Sequence, residues 1–456
     1  MPDPAASVPA PWPEDLLPEL ARRAAARPAV VLDDDPTGTQ TLRDIPVLTA
    51  WDAEAIARHL DAPVVFLSTN SRSLDEGAAV RLTRDATEAA LAAASQRGVP
   101  LSVVSRSDST LRGHFPAEVL AVADAMGRPD ARILLAPYFG EGGRTTIDDV
   151  HRLERDGVAV PVAETEFARD ATFGYRSSDL RAWVAEKYAT AGRRAPVTRS
   201  LPLDLVRGGG PDAVRRALRD LPPGAVAVAN AATDRDIEVV ALGALLAEED
   251  GLPLVARTAA SYVRARAGRA PAPLLSAEEL ATHGPGLVVV GSHVETTTRQ
   301  LAELRTRLGS GLELVTLPVA SLLAGDSAAV GTAAQQAGAA LLEGRTAVIA
   351  TERTRRDVDL AGGQRISRAL VAVVRGVVRR PAWVLAKGGI TSSDVAAHGL
   401  ELREARVAGQ LLPGVPVWIG GPEARWPGVP LVVFPGNVGD AAALADAVEA
   451  LTGVSG

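Results

Sequence analysis

The chain has 456 residues, 48 basic against 55 acidic side chains for a formal net charge of −7, 47% hydrophobic residues and no cysteine. So much apolar sequence fills large cores and excludes a disordered chain, a disulfide scaffold and a cysteine-ligated zinc or iron–sulfur site. With no block of basic residues and only 4% aromatics, no nucleic acid is expected as a partner, and small-molecule chemistry is.

At roughly 150 residues per domain the length allows two or three domains, and two are expected. Residues 1–27 are rich in proline and acids, without the basic start and continuous apolar run of a signal peptide, so they read as a disordered lead-in. No apolar run approaches the roughly 18 residues that span a bilayer, so no membrane partner is expected and a cytoplasmic location is the default.

From there, apolar runs of strand length alternate with helix-period segments, the pattern of an α/β fold with mainly parallel sheets. In the first half the strands are expected at 29–32, 64–67, 101–104, 133–136, 225–229 and 252–255, with helices at 75–96 and 179–188. After Ser261 a Pro- and Arg-rich stretch without apolar periodicity reads as a linker, which places the two domains at 28–270 and 285–456. The alternation then restarts with strands at 287–290, 312–317, 347–350, 383–386, 415–419 and 431–434.

In an open parallel sheet the carboxyl ends of the strands are where ligands bind. The first strand runs into Asp33-Asp34-Asp35-Pro36-Thr37-Gly38. Three adjacent carboxylates repel one another unless they meet a cation, a hydroxyl donor or a general-base task; otherwise they form a solvated turn capped by Asp34 or Asp35. The next strand ends release Ser68-Thr69-Asn70-Ser71-Arg72 and then Arg106-Ser107-Asp108-Ser109-Thr110-Leu111-Arg112-Gly113-His114. Gathered on one sheet edge, these loops suit a small polyhydroxylated anion. Arg106 or Arg112 would hold an acid group and Asp33 or Asp34 a sugar hydroxyl, whereas Arg72 and Arg112 equally suit neutralising nearby acids. His114 is a pocket candidate, and the histidines show no metal-ligand spacing.

In the second half three strand ends carry glycine: Gly291-Ser292-His293, Lys387-Gly388-Gly389-Ile390-Thr391 and Pro435-Gly436-Asn437. Backbone N–H groups at such turns form a phosphate-binding surface, although the Walker pattern and the dinucleotide pattern are both absent. Only Lys187 and Lys387 of the basic residues are lysine. An ammonium fits beside a phosphate where a planar guanidinium does not, which is a physical reason for Lys387 before the glycine pair.

Taken together, Asp-Asp-x-Thr-Gly near the start, Ser-x-Ser-x-x-Arg-Gly in the middle, and Gly-Ser, Gly-Gly-x-Thr and Pro-Gly-Asn-x-Gly in the second half resemble the four-carbon acid sugar kinase family over roughly residues 28 to 450. The resemblance implies an acid-sugar domain followed by an ATP domain, with Mg²⁺ on the nucleotide phosphates and the active site in the cleft between the domains. It implies phosphoryl transfer to the terminal hydroxyl of a threonate, erythronate or 3-oxo-tetronate type of acid. Carried onto this chain, it gives Asp33 and Asp34 the catalytic place. Arg106, Ser107, Asp108 and Arg112 join them in the acid site, to which the strand-end loops themselves add Asp35, Asn70, Arg72 and His114. Ser292, Gly388, Gly389, Ile390, Thr391 and Gly436 fall in the nucleotide site by the same motifs; Lys387, which departs from the family pattern, and Asn437 join them from the glycine turns themselves. Metal ligands are not identified, and a homodimer is allowed without being required.

Two other readings exist. Leu32 to Thr37 also fits the D-x-D-x-T pattern of a haloacid-dehalogenase-type phosphohydrolase, with Asp33 as covalent nucleophile and Asp35 as acid/base. A non-catalytic sensor of small acids would need no base at all.

Overall fold

The computed structural model describes residues 9–155, 157–280, 282–353, 360–436 and 438–453. Its strands in chain order are β1 (Ala29–Asp33), β2 (Ile45–Leu48), β3 (Val64–Ser68), β4 (Ser102–Arg106), β5 (Arg132–Ala136), β6 (Arg144–Ile147), β7 (Val150–Arg155), β8 (Val158–Pro161) and β9 (Thr198–Leu201). They continue with β10 (Val226–Ala229), β11 (Leu254–Thr258), β12 (Leu287–Val290), β13 (Leu312–Leu317), β14 (Thr346–Thr351), β15 (Val384–Lys387), β16 (Glu404–Leu412), β17 (Val415–Gly420) and β18 (Pro430–Phe434). The chain divides into two compact units, one from Met1–Gly38 and Trp51–Pro271, the other from Thr39–Ala50 and Ala272–Gly456.

The first unit is built on a parallel sheet in the order β3-β1-β4-β11-β5-β10-β9. Every residue of β1, β3, β4 and β11 is buried. Helices cover such a sheet on both faces, which is why its strands are continuous apolar runs. The chain passes from β1 to β3 on one side and returns to β4 on the other, so the strand order reverses at β1. At such a reversal the following loops diverge and leave a crevice at the carboxyl ends. A small antiparallel sheet, β6-β7-β8, is separate from the main one.

The second unit runs β13-β14-β12-β15-β18 in parallel and then β17, β16 and β2 in antiparallel pairing. Its core packs Trp383, Val288, Val432 and Phe434 against Leu444 and Val448 of the helix Ala443–Thr452.

Three expectations need correction. Within the stretch expected to be a disordered lead-in, Leu17–Ala26 is a helix with proline in its first turn and Leu20 and Ala24 buried. The segment expected to be a linker after Ser261 contains a buried helix, Ala260–Arg266. Its arginines hid it: Arg264 pairs with Asp234 at 2.8 Å, and Arg266 donates to the Arg27 carbonyl and the Ser102 hydroxyl at 2.8 and 3.0 Å. Finally, the units part between Pro271 and Ala272, inside the expected 270–285, but residues 39–50 belong to the second unit, so this is not the single cut that composition suggested.

Candidate functional site

At the end of β1 the chain turns through a short helix, Pro36–Thr39, whose glycine roofs the first carboxylate. A Cβ on Gly38 would stand 2.1 Å from Asp33 Oδ1, so only glycine permits this approach. Arg106, the last residue of β4, lies in register with Asp33 and donates to its Oδ1 at 3.1 Å, with Asp34 Oδ1 at 3.7 Å. Ser107 donates its hydroxyl to Asp34 Oδ2 at 2.8 Å. Burial raises Asp33 to about 8 against the pull of Arg106, and the neighbouring Asp34 and Asp35 push the same way. A guanidinium shared between two carboxylates cannot fully offset their desolvation.

Asp35 faces the other way. Burial opposes its ionisation, but the Arg72 guanidinium and the Thr37 hydroxyl, at 2.6 Å, hold its carboxyl below the usual value. Arg72 also reaches Asp108 at 3.5 Å, and Asp108 accepts from Arg112 Nε at 2.8 Å. Arg112 in turn stacks over Phe167 at 4.9 Å. Arg72, Arg112, Asp35 and Asp108 thus form one ion-pair chain. Asn70 takes a left-handed turn (φ 48°) that brings its N–H to the Asp33 carbonyl at 3.3 Å. His114 is buried and donates Nε2 to the carbonyls of Ser71 and Leu74 at 3.2 and 3.1 Å. It therefore ties the β3 loop to the β4 loop.

Several members of this edge gave no usable signal in sequence. Glu118, raised to about 7 by burial and by Asp34, accepts from Ser71 at 2.5 Å. Arg257, near the end of β11, is 2% exposed and donates Nη2 to the Arg112 carbonyl at 2.9 Å. An arginine inside an apolar run of an arginine-rich chain does not stand out, although the strand-end rule that found Arg106 applies to it as well. Among the described residues, Asp33 Oδ2, Asp34 Oδ1, Ser68 Oγ, Arg106 Nε, Arg257 Nε and Nη1, and Thr258 Oγ1 are buried without a hydrogen-bond partner. A concentration of such atoms at one sheet edge fits a polar ligand with several hydroxyls and a negative charge.

In the second unit the three glycine turns do meet. A Cβ would stand 2.1 Å from Thr391 Oγ1 at Gly291 and 2.9 Å from Ser292 Oγ at Gly436. Gly388 adopts φ +118°, and a Cβ there would stand 3.3 Å from both Ser292 Cβ and Thr391 Oγ1. The helix Gly389–Asp394 starts here, and the N–H groups of Gly389, Ile390 and Thr391 have no carbonyl in a preceding turn. Ile390 is 48% exposed. Lys387 is fully buried: Nζ donates to the carbonyls of Pro435 and Gly436 at 2.6 and 3.4 Å and lies 3.9 Å from the Phe434 ring. Burial lowers it to about 7. Thr297 bridges Ser292 Oγ and the Gly436 carbonyl at 3.0 and 3.2 Å, and Arg353 donates to the Ser292 carbonyl at 2.7 Å. Sequence reasoning found neither Thr297 nor Arg353. Asn437 lies outside the described residues.

Among the described residues no group of three or more His, Cys, Asp or Glu is placed to hold a metal ion, and no helix is long and apolar enough to cross a membrane. Residues 29–266 match a family model described as a sugar-binding N-terminal domain, and residues 287–444 one described as a nucleotide-binding C-terminal domain. The chain is 30% identical over 369 residues to a D-threonate kinase of Cupriavidus necator, covering 78% of this chain and 81% of that one. It is 28% identical over 285 residues to a D-erythronate kinase of Heliobacterium modesticaldum, covering 60% and 59% of the two chains. The solved Haemophilus influenzae protein HI1011 shares the fold, with a TM-score of 0.60 at 17% identity over 93% of this chain and 99% of that one.

Proposed function

Because the chain belongs to the four-carbon acid sugar kinase family and is a kinase, we propose that it transfers the terminal phosphoryl group of ATP to the terminal hydroxyl of a threonate- or erythronate-type acid. The observation that carries this reading is Asp34: buried at the strand-order reversal, fixed by Ser107 through Oδ2, and left without a hydrogen-bond partner at Oδ1.

In phosphoryl transfer the protein mainly positions the groups and neutralises charge. Asp34 Oδ1 takes the proton of the attacking hydroxyl as its bond to phosphorus forms, and the bond to ADP breaks. Asp33, roofed by Gly38, keeps its proton near neutral pH and limits the negative charge next to Asp34. That roof also denies Asp33 the access that a covalent nucleophile needs. Arg106, Asn70 and the ion-pair chain of Asp35, Arg72, Asp108 and Arg112 hold the loops that shape the acid site. On the second unit, the amides of Gly389, Ile390 and Thr391 receive the nucleotide phosphates, and Ser292 and Gly436 form the floor. Lys387 fixes that floor through the Pro435 and Gly436 carbonyls. Mg²⁺ arrives with ATP as part of the substrate and offsets phosphate charge.

The test is ADP release with MgATP against a panel of four-carbon sugar acids, with a control for phosphate release from the phosphorylated acids without ATP. ADP formation with one acid is expected. Phosphate release without ATP would overturn the reading in favour of a phosphohydrolase.

A further inference from the structure

The arginines at the carboxyl edge of the first sheet divide into two kinds. Arg72, Arg106 and Arg112 each have a carboxylate within 4 Å: Asp35 and Asp108, Asp33 and Asp34, and Asp108 and Asp170 respectively. Arg257 is as deeply placed as any of them, yet it makes no ion pair among the described residues and leaves Nε and Nη1 without partners. A buried guanidinium is costly unless an anion meets it.

Its position is also fixed. Nη2 is held by the Arg112 carbonyl at 2.9 Å, the guanidinium lies 5.4 Å from the Trp183 ring centroid, and the backbone is locked between Ser105 of β4 and Leu135 of β5. Gly113, at φ +119°, packs closely beside it. The point that a Cβ would take there lies 2.8 Å from Ser107 Oγ, 3.2 Å from Asp34 Oδ2 and 3.9 Å from Arg257 Nη2. Asp34 and Arg257 thus both border Gly113, and among the described residues Arg257 is the one buried cation of this edge that no protein carboxylate pairs with.

We propose that Arg257 receives the carboxylate of the sugar acid and sets the enzyme's preference for an acid over a neutral molecule of the same size. The proposal rests on the reading that the first unit binds a sugar acid. Arg106 is already shared between Asp33 and Asp34.

The experiment is calorimetric binding of D-threonate and D-erythronate, and of their uncharged amides, to the full chain and to Arg257→Gln and Arg257→Lys. Thermal unfolding checks each variant's fold. Arg257→Gln is expected to weaken the acid about 100-fold, the scale of a buried hydrogen bond to a charge, and to leave the amide unchanged. Arg257→Lys recovers part of the acid's affinity, and it carries the same acid-to-amide comparison if the glutamine variant fails to fold. Equal losses for acid and amide would show a merely structural role and overturn the proposal, as would an unchanged affinity for the acid. Acid binding without any ADP release would sink the kinase reading and leave this inference standing. No binding of either acid by the wild-type chain would overturn both.

Discussion

Asp33 and Asp34 are neighbours in sequence and share Arg106, yet Gly38 packs against the carboxylate of the first and Gly113 beside that of the second. Asp33 is raised from 3.8 to about 8, so between those values the folded chain holds a proton that the unfolded chain has released. Its contribution to stability is therefore greatest at low pH and is lost as pH rises through about 8. Asp33→Asn imitates the protonated side chain. It is expected to keep most activity at pH 7 and, in melts from pH 5 to 9, to gain stability on the wild type as pH rises; a constant difference would show that Asp33 is ionised throughout. Asp34→Asn is expected to lower kcat by at least about 100-fold with ATP affinity intact, the scale of a lost general base. Gly38→Ala pushes a methyl group into the Asp33 carboxylate and should depress kcat without altering ATP binding; full activity would remove the roof from the mechanism. The acids and Arg106 are legible in sequence because they punctuate apolar strands. Asp33 and Asp34 look alike there because their difference lies in two glycines, at positions 38 and 113, that pack on them from outside the triplet.

The elements divide by the way each is buried. Parallel strands covered on both faces are unbroken apolar runs, so β1, β3, β4, β12, β15 and β18 are readable, and with them the polar loops that leave their ends. β6, β7 and β8 are short, partly exposed and antiparallel, without such a run. The helix Ala260–Arg266 is misread because its arginines are buried through polar partners, which hydropathy cannot register. At the second unit's turns, glycine and lysine share one job: small residues let three strand ends approach, and Lys387 ties down the carbonyls of the last one. Lys387→Met keeps the bulk and removes the donor. It is expected to raise the KM for ATP about tenfold, the cost of a hydrogen bond from a charged group, with the KM for the acid unmoved. Equal changes in both would place Lys387 in general stability instead.

For the whole molecule the decisive segment is Thr39–Ala50, which precedes most of the first unit in sequence but packs in the second. β2 pairs with β16 over Ile45 to Leu48, with Ile45, Val47 and Leu48 fully buried. The Trp418 indole donates to Thr39 Oγ1 at 2.9 Å, and the Arg43 guanidinium donates to the Ala408 carbonyl at 3.0 Å. No local pattern announces this pairing, because the partner strand lies hundreds of residues away. A fragment starting at residue 272 lacks these contacts. At roughly 2 kcal/mol for each buried aliphatic side chain it loses several kcal/mol, a large share of a typical domain's stability. Such a fragment is expected to be rapidly proteolysed, and fusing residues 39–50 to it should restore protection; equal resistance of the two fragments would refute the dependence. The same strand constrains inheritance. An exchange of C-terminal halves between related genes leaves the recipient's residues 39–50 against a foreign β16, so such exchanges survive only where β2 and β16 already match. Along a lineage, substitutions at Ile45 or Val47 should then be answered by changes on β16, three hundred and sixty residues or so further along the chain.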